Sequence, residues 1–149
     1  MPTIAKNKKA YHDYEILKTF EAGVALSGPE VKSARSGQIN ISSGYVTIDQ
    51  QETPWLINVR IALYPPAFSA QQNYDPLQNR KILLHKKEIT SLIGKIRTQG
   101  LTLIPLRVYT KKGLIKIEIG LVKGKKKWDK RETIKKREVK RKIQRRLKE

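Results

Sequence analysis

The sequence contains no cysteine, so neither a disulfide nor a thiolate metal site can form. It has two histidines, His12 and His85, and no cluster of His and carboxylates at metal-ligand spacing. No metal and no cofactor are therefore expected. A GxxxxGK[ST] phosphate loop and a GxGxxG fingerprint are both missing. Ser27, Ser33, Ser42 and Ser43 have no recognisable base partner. No apolar run approaches the roughly 20 residues of a membrane span. The first nine residues, Met1 to Lys9, lack the apolar centre of a signal peptide. A reducing cytoplasm is the expected setting, with no membrane partner. Acidic residues are also scarce: 13 Asp and Glu face 32 Lys and Arg, a net charge of +19.

That charge is unevenly placed. Residues 123–149 carry 15 Lys and Arg against 4 Asp and Glu, more than half of the excess on less than a fifth of the chain. The apolar residues of this stretch are Trp128, Ile134, Val139, Ile143 and Leu147. These are too few to offset the entropy of ordering, so a free tail is expected to be disordered. It is nevertheless written to become a helix. Glu132 and Lys136 are four apart, as are Glu138 and Lys142, each acid preceding its base. Val139, Ile143 and Leu147 step by four and form one thin apolar stripe. A membrane-surface helix needs a broader apolar face. A polyanion-binding tail that folds on contact fits better than a tail that only aids solubility, and nucleic acid is the expected polyanion.

Residues 1–122 are long enough to bury a core as one domain. Residues 1–10 read as a basic arm. Two strand pieces are expected between Tyr11 and Leu26, bending at Glu21-Ala22-Gly23. Ser27 and Glu30 form a capping-box pair opening a short helix, with Pro29 tolerated in its first turn. Strands are expected at Gly44–Asp49 and Trp55–Ile61, with Trp55 as a core or lid residue. Residues 64–79 form a long loop with three prolines, in which Tyr64, Phe68 and Tyr74 either stack on bases or clip the loop to the body. Ile89, Leu92, Ile93 and Ile96 define a second helix that Gly100 stops. A strand from Leu101 to Thr110 contains Pro105, which requires an edge or a bulge. Lys111-Lys112-Gly113 is expected as a three-residue loop, followed by a strand from Leu114 to Val122. In that strand Ile115, Ile117, Ile119 and Leu121 face one way, opposite Lys116, Glu118 and Gly120. The pattern predicts a mainly β domain, a six-stranded antiparallel barrel of the oligonucleotide-binding type with two to three short helices, and the tail at 123–149.

A catalytic constellation is not evident. His12 and His85 suit an RNA-cleaving acid and base, but among so many cations each is better read as a polar contact or an RNA ligand. Asp13 and Glu15 are explained by a salt bridge or exposure. The rival binding reading is a ribosomal or general RNA-chaperone protein, built mainly on phosphate contacts.

Several ordered segments resemble one family. They are Asn7–Tyr14, Phe20–Leu26, Glu30–Arg35, Arg80–Lys86, Lys116–Gly120 and Lys123–Arg131. The chain is similar to SmpB, the SsrA- or tmRNA-binding proteins of bacterial trans-translation. The resemblance implies an oligonucleotide-binding-type barrel without catalysis, acting in the bacterial cytoplasm as a monomer. Such a body holds the tRNA-like domain of tmRNA in place of a missing anticodon arm, and meets elongation factor Tu only through the charged tmRNA. The tail enters the decoding centre and the empty mRNA channel of the stalled ribosome, against small-subunit rRNA. The resemblance assigns tmRNA contact to His12, Glu21, Leu83 and Lys116. It assigns ribosome contact to Gly124, Trp128, Asp129, Lys130 and Arg131.

Overall fold

The computed structural model describes residues 3–67 and 72–124. In chain order these form β1 (Thr3–Lys6), α1 (Lys8–Asp13), β2 (Tyr14–Val24), α2 (Gly28–Arg35), β3 (Ile39–Asn40), β4 (Tyr45–Ile48), β5 (Pro54–Ile57), β6 (Arg60–Ile61), β7 (Arg80–Leu83), α3 (Lys86–Gln99), β8 (Thr102–Lys111) and β9 (Leu114–Gly124). Six strands close into a ring, β8-β4-β5-β7-β2-β9, with β9 returning to β8. All pairings are antiparallel, β1 extends the sheet along β8, and β3 and β6 make a separate ribbon. The expected six-stranded barrel of the oligonucleotide-binding type is present, with three α-helices among the described residues.

The alternation expected in β9 fills the barrel. Ile115, Ile117, Ile119 and Leu121 join Ala22, Leu56, Ile82 and Leu103 in the main core. Leu92 of α3 enters the same core and is fully buried. Each Ile and Leu among them contributes about 1.5–3 kcal/mol by leaving water. Beyond Glu118 the outer face of β9 is covered too. Val122 packs with Leu106, Ile104 and Ala10 in a second, smaller core beneath α1. Gly120 lets Leu106 approach, since a Cβ there would lie 2.7 Å from the Leu106 Cδ1.

The local signals mostly act as read. The Ser27–Glu30 capping box is complete, with Pro29 in the first turn of α2. Gly100 ends α3 in the left-handed conformation, φ 62°. Pro105 sits at a bulge between Pro105 and Arg107, which switches the side of β8 that faces inward. Tyr74 clips its loop to the body: its hydroxyl donates to the Ile61 carbonyl at 2.8 Å. Phe68 lies outside the described residues.

Five expectations need correction. Residues 1–10 are not a plain arm, because β1 and the start of α1 lie there. Buried Asn7 caps that helix through Ala10 N at 3.0 Å and donates to the Pro105 carbonyl, also at 3.0 Å. β2 is one continuous strand, and its irregularity falls between Ile16 and Lys18 rather than at Gly23. The expected Trp55–Ile61 strand breaks at Asn58, which takes φ 59° and donates to the Ser43 carbonyl at 3.1 Å. Leu56 enters the core, whereas Trp55 lies half-buried outside it with its indole N–H on Asp49 Oδ2 at 2.8 Å. The β8–β9 connection has two residues, not three: Lys111 pairs with Leu114, and Lys112 and Gly113 take φ 52° and 76°. Two successive positive φ values are those of the tight hairpin turn that matches strand twist. β9 itself runs past Val122 to Gly124, which pairs with Tyr14.

Candidate nucleic-acid interface

The barrel register gathers residues far apart in sequence onto one outer face. Leu83 of β7 pairs with Gly23 of β2, Gly23 with Lys116 of β9, and Lys116 with Tyr109 of β8. One row therefore crosses four strands. The next row carries Glu21, Glu118 and Arg107. Side chains alternate along a strand, so Ala22, Ile82, Ile117 and Val108 point into the core while these residues point outward. Leu83 is 53% exposed. A Cβ on Gly23 would lie 3.4 Å from Leu83 Cβ and Cδ1, so the bare backbone lets Leu83 lie across β2. Beside it opens a shallow groove of about 270 Å³, lined by Leu26, Val31, Leu83, Leu114 and Lys116 among others. Arg35 of α2 reaches the hairpin tip that borders the groove, donating to the Gly113 carbonyl.

Glu21 shares this face with its strand partner Glu118, and its surroundings keep it ionised. The Tyr109 hydroxyl donates to Oε2 at 2.5 Å and Lys111 Nζ donates to Oε1 at 3.1 Å. These two bonds, Tyr109 first, hold the Glu21 carboxyl below the ordinary glutamate range. Burial, and then the Glu21 contact, push the Tyr109 phenol far up, so it stays a donor. Arg107 stacks on the Tyr109 ring, 4.5 Å from its centre, and reaches Glu118 Oε2 at 3.5 Å.

Of the four positions expected to contact RNA, three are brought together: Glu21, Leu83 and Lys116. His12 stands apart on α1, over the other end of β2. Its side chain is 74% exposed and its Nδ1 is 2.9 Å from Asp13 Oδ1. Tyr11, beside it, has its phenol pushed up by burial and then by Glu118, against the opposing pull of Arg107. His85 precedes α3 next to β7, while His12 lies where β2 begins. The strand between is about 30 Å long, so the two histidines do not form an acid–base pair. Among the described residues no group of three or more His, Asp or Glu can hold a metal ion. Among them, too, no helix is long and apolar enough to cross a membrane. Gly124 ends the described part of β9. Trp128, Asp129, Lys130 and Arg131 lie outside the described residues.

Tyr109, Lys111 and Arg107 were not singled out from the sequence. Their signal was present, since 107, 109 and 111 alternate on one side of β8. It depends on the register with β9, which only the two-residue turn sets.

Comparison with known proteins gives a consistent result. A model of the family described as SmpB protein matches residues 4–149. The chain is 51% identical over 145 residues to the SsrA-binding protein of Sulfurihydrogenibium sp. (strain YO3AOP1), spanning 97% of this chain and 93% of that protein. It is 51% identical over 146 residues to the SsrA-binding protein of Trichodesmium erythraeum (strain IMS101), spanning 98% and 92%. Among solved structures it resembles a chain from one described as "tmRNA-SmpB: a journey to the center of the bacterial ribosome", with a TM-score of 0.67, 42% identity, and coverage of 85% of this chain and 87% of that one. With a family match running from residue 4 to residue 149, the chain belongs to the SmpB family.

Proposed function

We propose that the protein binds tmRNA (SsrA RNA) and brings it to stalled ribosomes for trans-translation, as an RNA-binding factor rather than an enzyme. The outer face of β7, β2, β9 and β8 holds the tRNA-like domain. The observation that carries this reading is the single row Leu83–Gly23–Lys116–Tyr109, with Glu21 one row away. It places an apolar platform, a cation and a fixed carboxylate side by side. Lys116 meets phosphate, Leu83 packs against an exposed base or ribose, and Glu21 accepts from base amino or ribose hydroxyl groups. His12 extends the contact along α1. In this complex the body stands where an anticodon arm would be.

The segment that follows β9, residues 125–149, serves the ribosome together with Gly124 at the strand's end. Gly124, Trp128, Asp129, Lys130 and Arg131 contact small-subunit rRNA at the decoding centre, and the following segment lies along the empty mRNA channel. A Trp set among cations in the sequence suits stacking on an rRNA base, worth about 1–3 kcal/mol. The protein works as a monomer in the bacterial cytoplasm and meets elongation factor Tu through charged tmRNA.

The test is retrieval of RNA from bacterial lysate on the immobilised protein. Strong enrichment of tmRNA over tRNA and rRNA fragments is expected. Equal retention of all three overturns the reading and favours a general RNA chaperone.

A further inference from the structure

A carboxylate on a polyanion-binding face is costly unless it meets donors, because it repels every phosphate that approaches. Base amino groups and ribose hydroxyls are donors, and they reward a carboxylate only when its oxygens are correctly aimed. A surface glutamate samples many rotamers and loses that freedom on binding. Glu21 is already fixed, and its two anchors differ in kind. Lys111 is a flexible cation, 41% exposed. Tyr109 is 2% exposed, and its ring is held under the stacked Arg107 guanidinium. Arg107 is itself tied to Glu118 and to the Thr3 hydroxyl, each at 3.5 Å. The line Glu118–Arg107–Tyr109–Glu21 thus runs across β9, β8 and β2 and ends on the acid.

We infer that Tyr109 is a positioning residue for RNA recognition, its buried hydroxyl holding the Glu21 carboxylate in one orientation while Lys111 is the partner that gives way to RNA. The inference rests on the reading of this face as the tmRNA surface. When RNA docks, Lys111 transfers to a phosphate and frees Oε1 for a base amino or ribose hydroxyl donor. Tyr109 keeps Oε2, so the acid does not swing away. No bond is made or broken and no proton moves; hydrogen-bond partners exchange.

Tyr109→Phe keeps the ring and its packing and removes only the hydroxyl. Affinity for a transcript of the tRNA-like domain is measured for wild type, Tyr109→Phe, Glu21→Gln and the double variant. Tyr109→Phe is expected to weaken binding roughly tenfold in the wild-type background, the scale of a hydrogen bond to a charged group. It is expected to change nothing in the Glu21→Gln background. In the free protein, NMR titration of Glu21 should show its carboxyl rising toward the ordinary range in Tyr109→Phe. Equal losses in both backgrounds mean Tyr109 is only structural and overturn the inference. A loss for Glu21→Gln with none for Tyr109→Phe overturns the positioning but leaves the face in place. Unchanged affinity for Glu21→Gln removes the role of Glu21 itself, and the inference with it.

Discussion

Glu30 and Arg80, fifty positions apart, form a fully buried ion pair with Arg80 Nε 2.6 Å from Glu30 Oε2. Nothing in the pair is left unsatisfied on its main contacts. Arg80 also donates to the Val59 and Pro76 carbonyls and to the Tyr74 hydroxyl oxygen, while Glu30 accepts from Ser27 N and from Gln78. One pair thus ties the start of α2 to β7 and to the loop before it. Arg80→Met should destabilise the body by about 3–5 kcal/mol, because it leaves a buried charge without its partner. Urea denaturation measures this. Arg80→Met with Glu30→Gln should lose less than the two single changes summed.

The same pair sets a response to acid. Burial pushes the Glu30 carboxyl up, but the Ser27 amide, Arg80 and Gln78 outweigh it and the net direction is down. A carboxyl lowered by folding contributes stability that is full above its unfolded value, about 4.3, and disappears as pH falls through the folded value. The urea midpoint should therefore be flat near neutrality and drop below about pH 4.3. Glu30→Gln should start from a lower plateau and fall less steeply.

Lys116→Glu replaces a cation of the proposed RNA face with an acid beside Glu21. Affinity for the tRNA-like domain should fall roughly tenfold or more, and the dependence on salt should become shallower by about one ion. Unchanged affinity at several salt concentrations would place the RNA elsewhere on the barrel.

Truncation after Gly124 separates the two proposed modules. The cut belongs there rather than after Val122, because Lys123 and Gly124 pair with Glu15 and Tyr14. Binding of tmRNA should survive, and tagging on stalled ribosomes should stop. Trp128→Ala in the full chain should reduce tagging with RNA affinity unchanged. Loss of tmRNA binding on truncation would refute the division.

Gly44→Ala tests close packing. The added Cβ would lie 2.5 Å from Val59 Cγ2 and 3.1 Å from Pro105 Cγ, and Val59 is fully buried. A destabilisation of about 1–3 kcal/mol is expected from overpacking, read in thermal melts.

The sequence exposed the barrel well where the physics is local. Ser27 and Glu30 closed their box, Gly100 stopped its helix, and Ile115 to Leu121 filled the interior as their alternation demanded. It concealed what long-range pairing decides. Nothing local marked Arg80 for burial, since only the closed ring brings Glu30 to it. Asn7 read as part of an arm because the carbonyl it binds belongs to Pro105, 98 positions away. The hairpin shows how small the margin is. A three-residue turn would pair Tyr109 with Ile115 and send its ring inward, because a one-residue shift exchanges the faces of a strand. With Lys111 opposite Leu114, Tyr109 stands beside Glu21 instead. Three of the four expected RNA contacts then fell together, with His12 carried separately on α1.

β9 is bonded on both flanks for most of its length, to β2 up to Gly124 and to β8 up to Val122. A pull delivered at residue 124 along the strand axis must shear those ladders together instead of unzipping them one rung at a time. The root of the basic segment is thus a mechanically stiff mount, and tension arriving there is shared by the whole barrel wall.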